Sequence, residues 1–289
     1  MEQTIRQSKH IVRPSDIIYK TVVYIILTVG AFTMVFPYFW MLMSSFKSNF
    51  EAISLELVIF PEKFMFSNYS RVMDMIPFMK GVGNTVLVEV SVVAIGTFVT
   101  AMAAFSFAKL KLKFKTTLLL ILMSGMMVPY AVLMLPQFRA FMALNMYDTL
   151  WPLILPGFFG NVTMMFFFVQ YMKGIPSAFF EAAKIDGAGY MTMFVRIMLP
   201  LIKPAIAAQV IFWFMGIWND YFAPSIYLKT YDTMTLQPML AKLSSDNAGG
   251  TNLPLVMAGA VLSSIPMLAI YVGFQRFFIQ SLAISGVKG

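Results

Sequence analysis

The run from Thr21 to Phe46 carries no charged residue over 26 positions, and it constrains the chain more than any other feature. In hydrocarbon every backbone N–H and C=O must be satisfied inside the protein, so a run of this kind folds as a helix. At about 1.5 Å per residue it exceeds the roughly 30 Å of a bilayer core. It is also too long for the apolar region of a signal peptide, and no small-residue cleavage site follows it. Five further apolar runs fit spans at about 84–108, 116–136, 150–172, 205–225 and 254–275. The expected fold class is all-α, a polytopic membrane protein with six transmembrane helices. Composition agrees, because only 12% of the 289 residues are charged. A soluble domain carries about a quarter.

Charge placement sets the orientation. Residues 1–20 are polar and basic, with Arg6, Lys9, Arg13 and Lys20, and residues 47–80 are mixed in charge and interrupted by Pro61 and Pro77. Between the second and third spans lie Lys109, Lys111, Lys113 and Lys115, which read as an anchor at the membrane surface. With the N-terminus in the cytoplasm, the inner segments hold 14 Lys and Arg and the outer ones seven. Excess Lys and Arg marks the cytoplasmic side. Both termini are therefore expected there: residues 1–20 at one end, 280–289 at the other, with a cytoplasmic loop over 173–204 and an external one over 229–252.

Several chemistries are excluded. The chain has no cysteine and one histidine, His10, so thiolate and histidine centres have no residues to use. No catalytic residue, metal site or bound cofactor is expected. No G-x-x-x-x-G-K-[ST] loop is present, nor even a Gly-Lys dipeptide, so this chain has no phosphate-cradling loop for ATP. The net charge of +8 reflects membrane topology and does not indicate nucleic acid.

The loop over 173–204 is a long polar interruption between apolar runs. Pro176 suits the first turn of a helix. Glu181 then lies early in that helix, where a negative charge is favourable. Ala182, Ala183 and Lys184 are good helix formers. Gly187 can adopt positive φ and stop the helix, and a second helix can start near Gly189 to Thr192 and run to Pro200. Physically this is a helix–turn–helix at the cytoplasmic surface, either an interfacial hairpin that joins two spans or a docking element for a partner.

The spacing narrows that choice. Glu181-Ala182-Ala183, three residues, Gly187, nine residues, Ile197, one residue and Leu199-Pro200 follow without a gap. This resembles the signature loop of permease subunits of binding-protein-dependent ABC importers. Trp218-Asn219-Asp220 and the ending Gln275-Arg276-Phe277-Phe278-Ile279-Gln280-Ser281-Leu282, closing with Gly286 to Gly289, resemble above all the carbohydrate-uptake, maltose-importer-like group. The resemblance covers most of the chain, including a transmembrane domain over 81–279, and implies a type I ABC importer permease fold.

It implies partners as well: a second homologous permease subunit, two cytoplasmic ATPase subunits that use ATP and Mg, and an extracytoplasmic solute-binding protein. The expected function is the permease subunit of an ATP-driven importer of sugars or oligosaccharides, in a prokaryotic cytoplasmic membrane. In that family the loop is a coupling helix seated in a cleft of the ATPase. The expected coupling residues are Phe179, Phe180, Glu181, Ala182, Ala183, Asp186, Gly187, Leu199 and Pro200, and the tail from Gly286 to Gly289 is expected to reach between the ATPases. Phe179 and Phe180 depart from the acidic or polar residues frequent before Glu-Ala-Ala. Each would forgo about 1.5–3 kcal/mol if left in water, so an apolar contact, with lipid or with the partner, is expected there.

For the translocation path the candidates are Glu89, Trp213, Trp218, Asn219, Asp220 and Tyr221. Aromatic faces stack on sugars and polar side chains bond to hydroxyls, but Trp and Tyr also populate membrane interfaces. Glu89, inside a span, either lines the path or sits near a span end or pairs across a helix interface. Asn84, Gln137, Asn161 and Gln170 fit helix–helix hydrogen bonds as readily as sugar contacts. Two alternatives stand beside the sugar reading: an ABC permease for another solute, and an ion-coupled secondary transporter. The latter calls for inverted repeats and several buried ionisable groups, and the chain has no such repeat. An intramembrane enzyme lacks Cys, an HExxH motif and any histidine inside a span.

Overall fold

The computed structural model describes residues 14–245 and 252–286. Arg6, Lys9, His10 and Arg13 lie outside the described residues, as do Val287 to Gly289 of the expected tail contact and the side chains of the ending motif from Arg276 on. All regular structure among the described residues is helical.

The chain opens with α1 (Pro14–Ser45), then two short helices, α2 (Asn49–Ile53) and α3 (Ser67–Met75). α4 (Phe78–Lys109) is followed by α5 (Lys115–Gly125), α6 (Tyr130–Ala143), α7 (Trp151–Phe158) and α8 (Val162–Lys173). The hairpin comprises α9 (Ala178–Ile185), α10 (Tyr190–Met193), a π-helical turn at Phe194–Met198 and α11 (Leu199–Leu201). The remainder is α12 (Lys203–Trp218), α13 (Phe222–Tyr227), α14 (Leu236–Ser245) and α15 (Leu253–Gly286).

Four segments are long and apolar enough to cross a membrane without a sharp bend: Ile17–Ser45, Phe78–Lys109, Trp151–Lys173 and Leu253–Gln275. Two bent pairs bring the number to six: α5 with α6 at 86°, and Tyr190–Leu201 with α12 at 77°. The third and fifth spans, expected as single runs over 116–136 and 205–225, are thus interrupted. α5 ends at Gly125, and α6 starts after Pro129, which cannot donate to a preceding turn. The fifth ends at Trp218, and Asn219 to Tyr221 separate it from α13.

α4 is the central helix, packed against α7, α8, α12 and α14. Its buried positions Gly81, Thr85, Val88, Val92, Gly96, Thr100 and Ala104 recur every three or four residues, which draws one seam along the helix. Small side chains on that seam let neighbouring backbones come close, the usual packing device where lipid supplies no hydrophobic drive. Gly96 shows the extreme: a Cβ there would lie 2.4 Å from the Trp213 ring and 2.5 Å from the Gly157 carbonyl. α1, by contrast, packs on α15 alone among the long helices, joined there by Tyr38 and Ser264 hydroxyls 3.2 Å apart, and its most apolar stretch is wholly unburied. That stretch is the surface a bilayer would cover.

Two of the three buried clusters hold most of the core. One cluster joins Val72, Phe214, Trp218, Tyr227, Leu236, Met239 and Leu255. The other joins Phe105, Phe168, Met172, Phe194, Met198 and Ile202 with Ala183 of the hairpin. The segment between α1 and α4 is ordered by its own polar contacts. Ser48 and Glu51 form a capping box, and Glu51 also accepts from the Glu62 N–H. Lys47 is buried against Trp40 and donates to the Val58 carbonyl.

Candidate functional site

The hairpin forms as its residues dictate. At the end of α9 the Gly187 N–H donates to the Lys184 carbonyl at 3.1 Å, and the Ala188 N–H to that of Ala183 at 2.9 Å. This is a Schellman stop. It requires a left-handed residue, and Gly187 has φ +78° with nothing within 4 Å of where a Cβ would stand. Asp186 is the C-cap. Past Gly189 the helix resumes, and at Phe194–Met198 it widens to π, with the Leu199 N–H reaching back to the Phe194 carbonyl. Pro200 accounts for this: it has no N–H for the Arg196 carbonyl, and its ring crowds that carbonyl in α geometry.

The two phenylalanines of the hairpin part company. Phe180 is half-buried in its own chain, its ring 5.9 Å from that of Phe105 and 5.5 Å from the Lys109 amine. Lys109 also donates to the Ile175 carbonyl. Phe179 is 51% exposed. The expectation that both need an outside cover is corrected for Phe180, whose cover is α4. The free apolar surface is instead Phe179 with Ile185, Tyr190 and Met191, all exposed. Glu181 and Ala182 are exposed on the same short helix, whereas Ala183 is buried as its anchor. Leu199 is half-buried and Pro200 exposed.

A second feature lies within the bundle. A cavity of about 410 Å³ is lined by Tyr130, Gln137, Asn161, Trp213, Asp220 and Thr235, with Val88, Pro152, Pro156 and Pro224 among its apolar walls. Its size falls in the range of ligand pockets, about 300–1,000 Å³. One aromatic face and several hydrogen-bonding groups converge on it. The Asp220 carboxylate accepts from the Phe222 and Ala223 N–H groups at 3.0 and 3.2 Å, which caps α13 and holds the side chain in place. Tyr227 donates to Gln137 at 3.4 Å.

Trp213 and Asp220 of the expected path residues line this cavity, and the others do not. Trp218 is a core residue, stacked on Phe214 at 5.3 Å with its indole N–H on the Ser263 carbonyl. The Asn219 amide donates back to the Met215 carbonyl and finishes α12. Tyr221 is half exposed, away from the cavity. Glu89 is 6% exposed and neither carboxylate oxygen has a partner, whereas its neighbour Val88 lines the cavity. Asn84 bonds to the Asp232 and Met234 carbonyls, a structural bridge to the α13–α14 connection.

Tyr130 and Thr235 were not singled out by sequence. A signal was available: Tyr130 follows Pro129, Asn161 caps α8, and Asp220 fills the gap before α13. Irregular backbone at membrane depth is tolerated where it lines a cavity. Helix breaks flanked by polar side chains therefore point to the site.

Residues 96–284 match the family described as binding-protein-dependent transport system inner membrane component. An arabinooligosaccharide transport system permease protein of Halalkalibacterium halodurans is 30% identical over 271 residues, covering 91% of this chain and 96% of that one. Its counterpart in Bacillus subtilis is 30% identical over 279 residues, covering 96% and 98%. A maltodextrin transport system permease protein of Bacillus subtilis is 25% identical over 272 residues, covering 93% and 96%. A chain in the crystal structure of a bacterial ABC transporter that imports the acidic polysaccharide alginate has the same fold. It gives a TM-score of 0.81 at 24% identity and covers 92% of this chain and 98% of that one. With these matches, the four to six segments apolar enough to cross a membrane and the Glu-Ala-Ala hairpin have a common explanation: this chain is a member of the inner-membrane permease family of binding-protein-dependent ABC importers.

Proposed function

We propose that this chain forms half of the translocation path of an ATP-driven importer of oligosaccharides, coupled to a separate ATPase through the Glu181–Pro200 hairpin. The observation that carries the coupling is the rigid, exposed α9. Its Schellman stop and buried Ala183 fix the helix on the bundle, while Phe179, Glu181 and Ile185 remain outward. Closure of two ATPases would draw the hairpins of a permease pair together. The bent fifth span, continuous with the hairpin through the π turn, would carry that displacement to α12 and Trp213. The ATPases and a substrate-loaded binding protein then supply the free-energy bias between inward- and outward-facing states.

The oligosaccharide assignment rests on the named relatives and on the cavity. Trp213 offers a ring face for stacking, and Gln137, Asn161, Asp220, Tyr130 and Thr235 offer donors and acceptors for hydroxyls. The Lys and Arg asymmetry supports both termini and the hairpin in the cytoplasm. The test is reconstitution with the neighbouring permease, ATPase and binding protein. Uptake of an arabino- or malto-oligosaccharide should require ATP and fall at least tenfold in Trp213→Ala with ATPase assembly intact. Failure of the chain to co-purify with any ATPase would overturn the coupling role. Normal uptake by Trp213→Ala would remove the cavity from the path.

A further inference from the structure

The four-lysine turn after α4 and the hairpin enclose a groove of about 580 Å³ beside the coupling face. Its lining combines Lys109, Lys111 and Lys184 with the Ser177 and Tyr190 hydroxyls, over an apolar floor that includes Phe105 and Phe180. Glu181 also lines it, and against three lysines it leaves the lining an excess of positive charge. Lys109 is committed to the Ile175 carbonyl and the Phe180 ring. Lys111 and Lys184 are exposed and form no ion pair among the described residues.

The turn itself is built to hold that geometry. Leu110 and Leu112 pack against the cluster that holds Phe105 and Phe168, and Lys111 and Lys113 are exposed. Phe114 ends the turn in the left-handed region at φ +56° and is 71% exposed. α5 follows directly and presents Leu118, Leu120 and Ile121 outward at 45–61% exposure. The basic groove therefore opens beside an exposed apolar helix face. An apolar floor, free cations at the rim and an adjoining apolar helix face match an amphiphilic anion better than a soluble one.

We propose that this groove binds the phosphodiester headgroup of an anionic phospholipid, with Lys111 and Lys184 on the phosphate and the Ser177 and Tyr190 hydroxyls beside it. The lipid would tie the α4–α5 turn to the hairpin across the membrane surface. The test uses the full chain in vesicles of phosphatidylcholine with a minor share of phosphatidylglycerol, followed by native mass spectrometry of the lipids retained. The wild type should retain phosphatidylglycerol above its bulk share.

Each lysine near a charged surface contributes about fivefold in affinity, so Lys111→Gln with Lys184→Gln should weaken retention roughly 30-fold. Lys111→Arg with Lys184→Arg should restore it. An unchanged melting temperature in the Gln pair shows that the fold is intact. Equal retention by the Gln pair, or no enrichment in the wild type, would overturn the proposal. Loss of the lipid on adding inorganic phosphate would also overturn it and reassign the groove to a free anion. Displacement by added ATPase would reassign it to an acidic protein segment.

Discussion

Truncating Phe180 and Phe179 separately to Ala should divide two roles that adjacent phenylalanines conceal in the sequence. The Phe180 ring is half-buried, 5.9 Å from Phe105 and 5.5 Å from the Lys109 amine. Full burial of a Phe side chain contributes about 1.5–3 kcal/mol, so a half-buried ring contributes about half of that. The aromatic pair adds about 0.5–1.5 kcal/mol and the cation about 0.5–1. Phe180→Ala should therefore cost about 2–4 kcal/mol of stability. At roughly 2–4 °C per kcal/mol for a chain of this size, its melting temperature should drop by about 4–16 °C.

Phe179 has no comparable shelter, and its loss should stay within about 0.5 kcal/mol. If the exposed half of Phe179 is buried in the docked complex, truncation should weaken ATPase binding by roughly 4–12-fold. The assays are thermal unfolding of the solubilised chain and titration of the purified ATPase onto it. A stable Phe180→Ala beside a destabilised Phe179→Ala would refute the packing argument. An unchanged ATPase affinity in Phe179→Ala would remove that residue from the interface.

Three further outcomes follow from the same structure. Gly187→Ala fits the open space at that position but must enter the left-handed region, at a cost of about 1–2 kcal/mol. Gly187→Asn should cost less, and uptake per ATP hydrolysed should fall in that order. Gly96→Ala places a methyl 2.4 Å from the Trp213 ring and 2.5 Å from the Gly157 carbonyl, so it should destabilise by about 1–3 kcal/mol and lower the melting temperature. Asp148 links two turns outside the helical spans: burial pushes its carboxyl up, but hydrogen bonds from Thr233 and the Lys229 and Thr230 N–H groups outweigh that and hold it below the usual carboxylate range. Because the folded value is the lower one, its stabilisation is complete above about pH 4 and is lost as pH falls through the folded value. Melting curves from pH 6 downward should converge for wild type and Asp148→Asn at the acid end, with the wild type higher near neutrality.

The sequence by itself determined the class of this protein and the form of its hairpin. Charge-free runs too long for anything but membrane helices dictate an all-helical chain, because hydrocarbon admits only helices and closed barrels, and barrel strands need only about 9–11 residues. The position of Gly187 between Ala183 and Ala188 dictates the helix stop, because local hydrogen bonds and one left-handed residue suffice to make it. Both are local physics, readable from spacing. The site inside the bundle is not local. Trp218 and Trp213 read alike, yet one is a core residue bonded to Ser263 and the other lines the cavity, since helix rotation and the partner helix decide which way each ring faces. Phe179 and Phe180 differ only by the 100° between successive helix positions. Which of them meets Phe105 is set by where α4 ends, many residues earlier in the chain. Tyr130, Gln137, Asn161 and Thr235 converge from α6, the α7–α8 break and the start of α14. Close packing at Gly96 and Gly157 sets α4, α7 and α12 against one another beside that space.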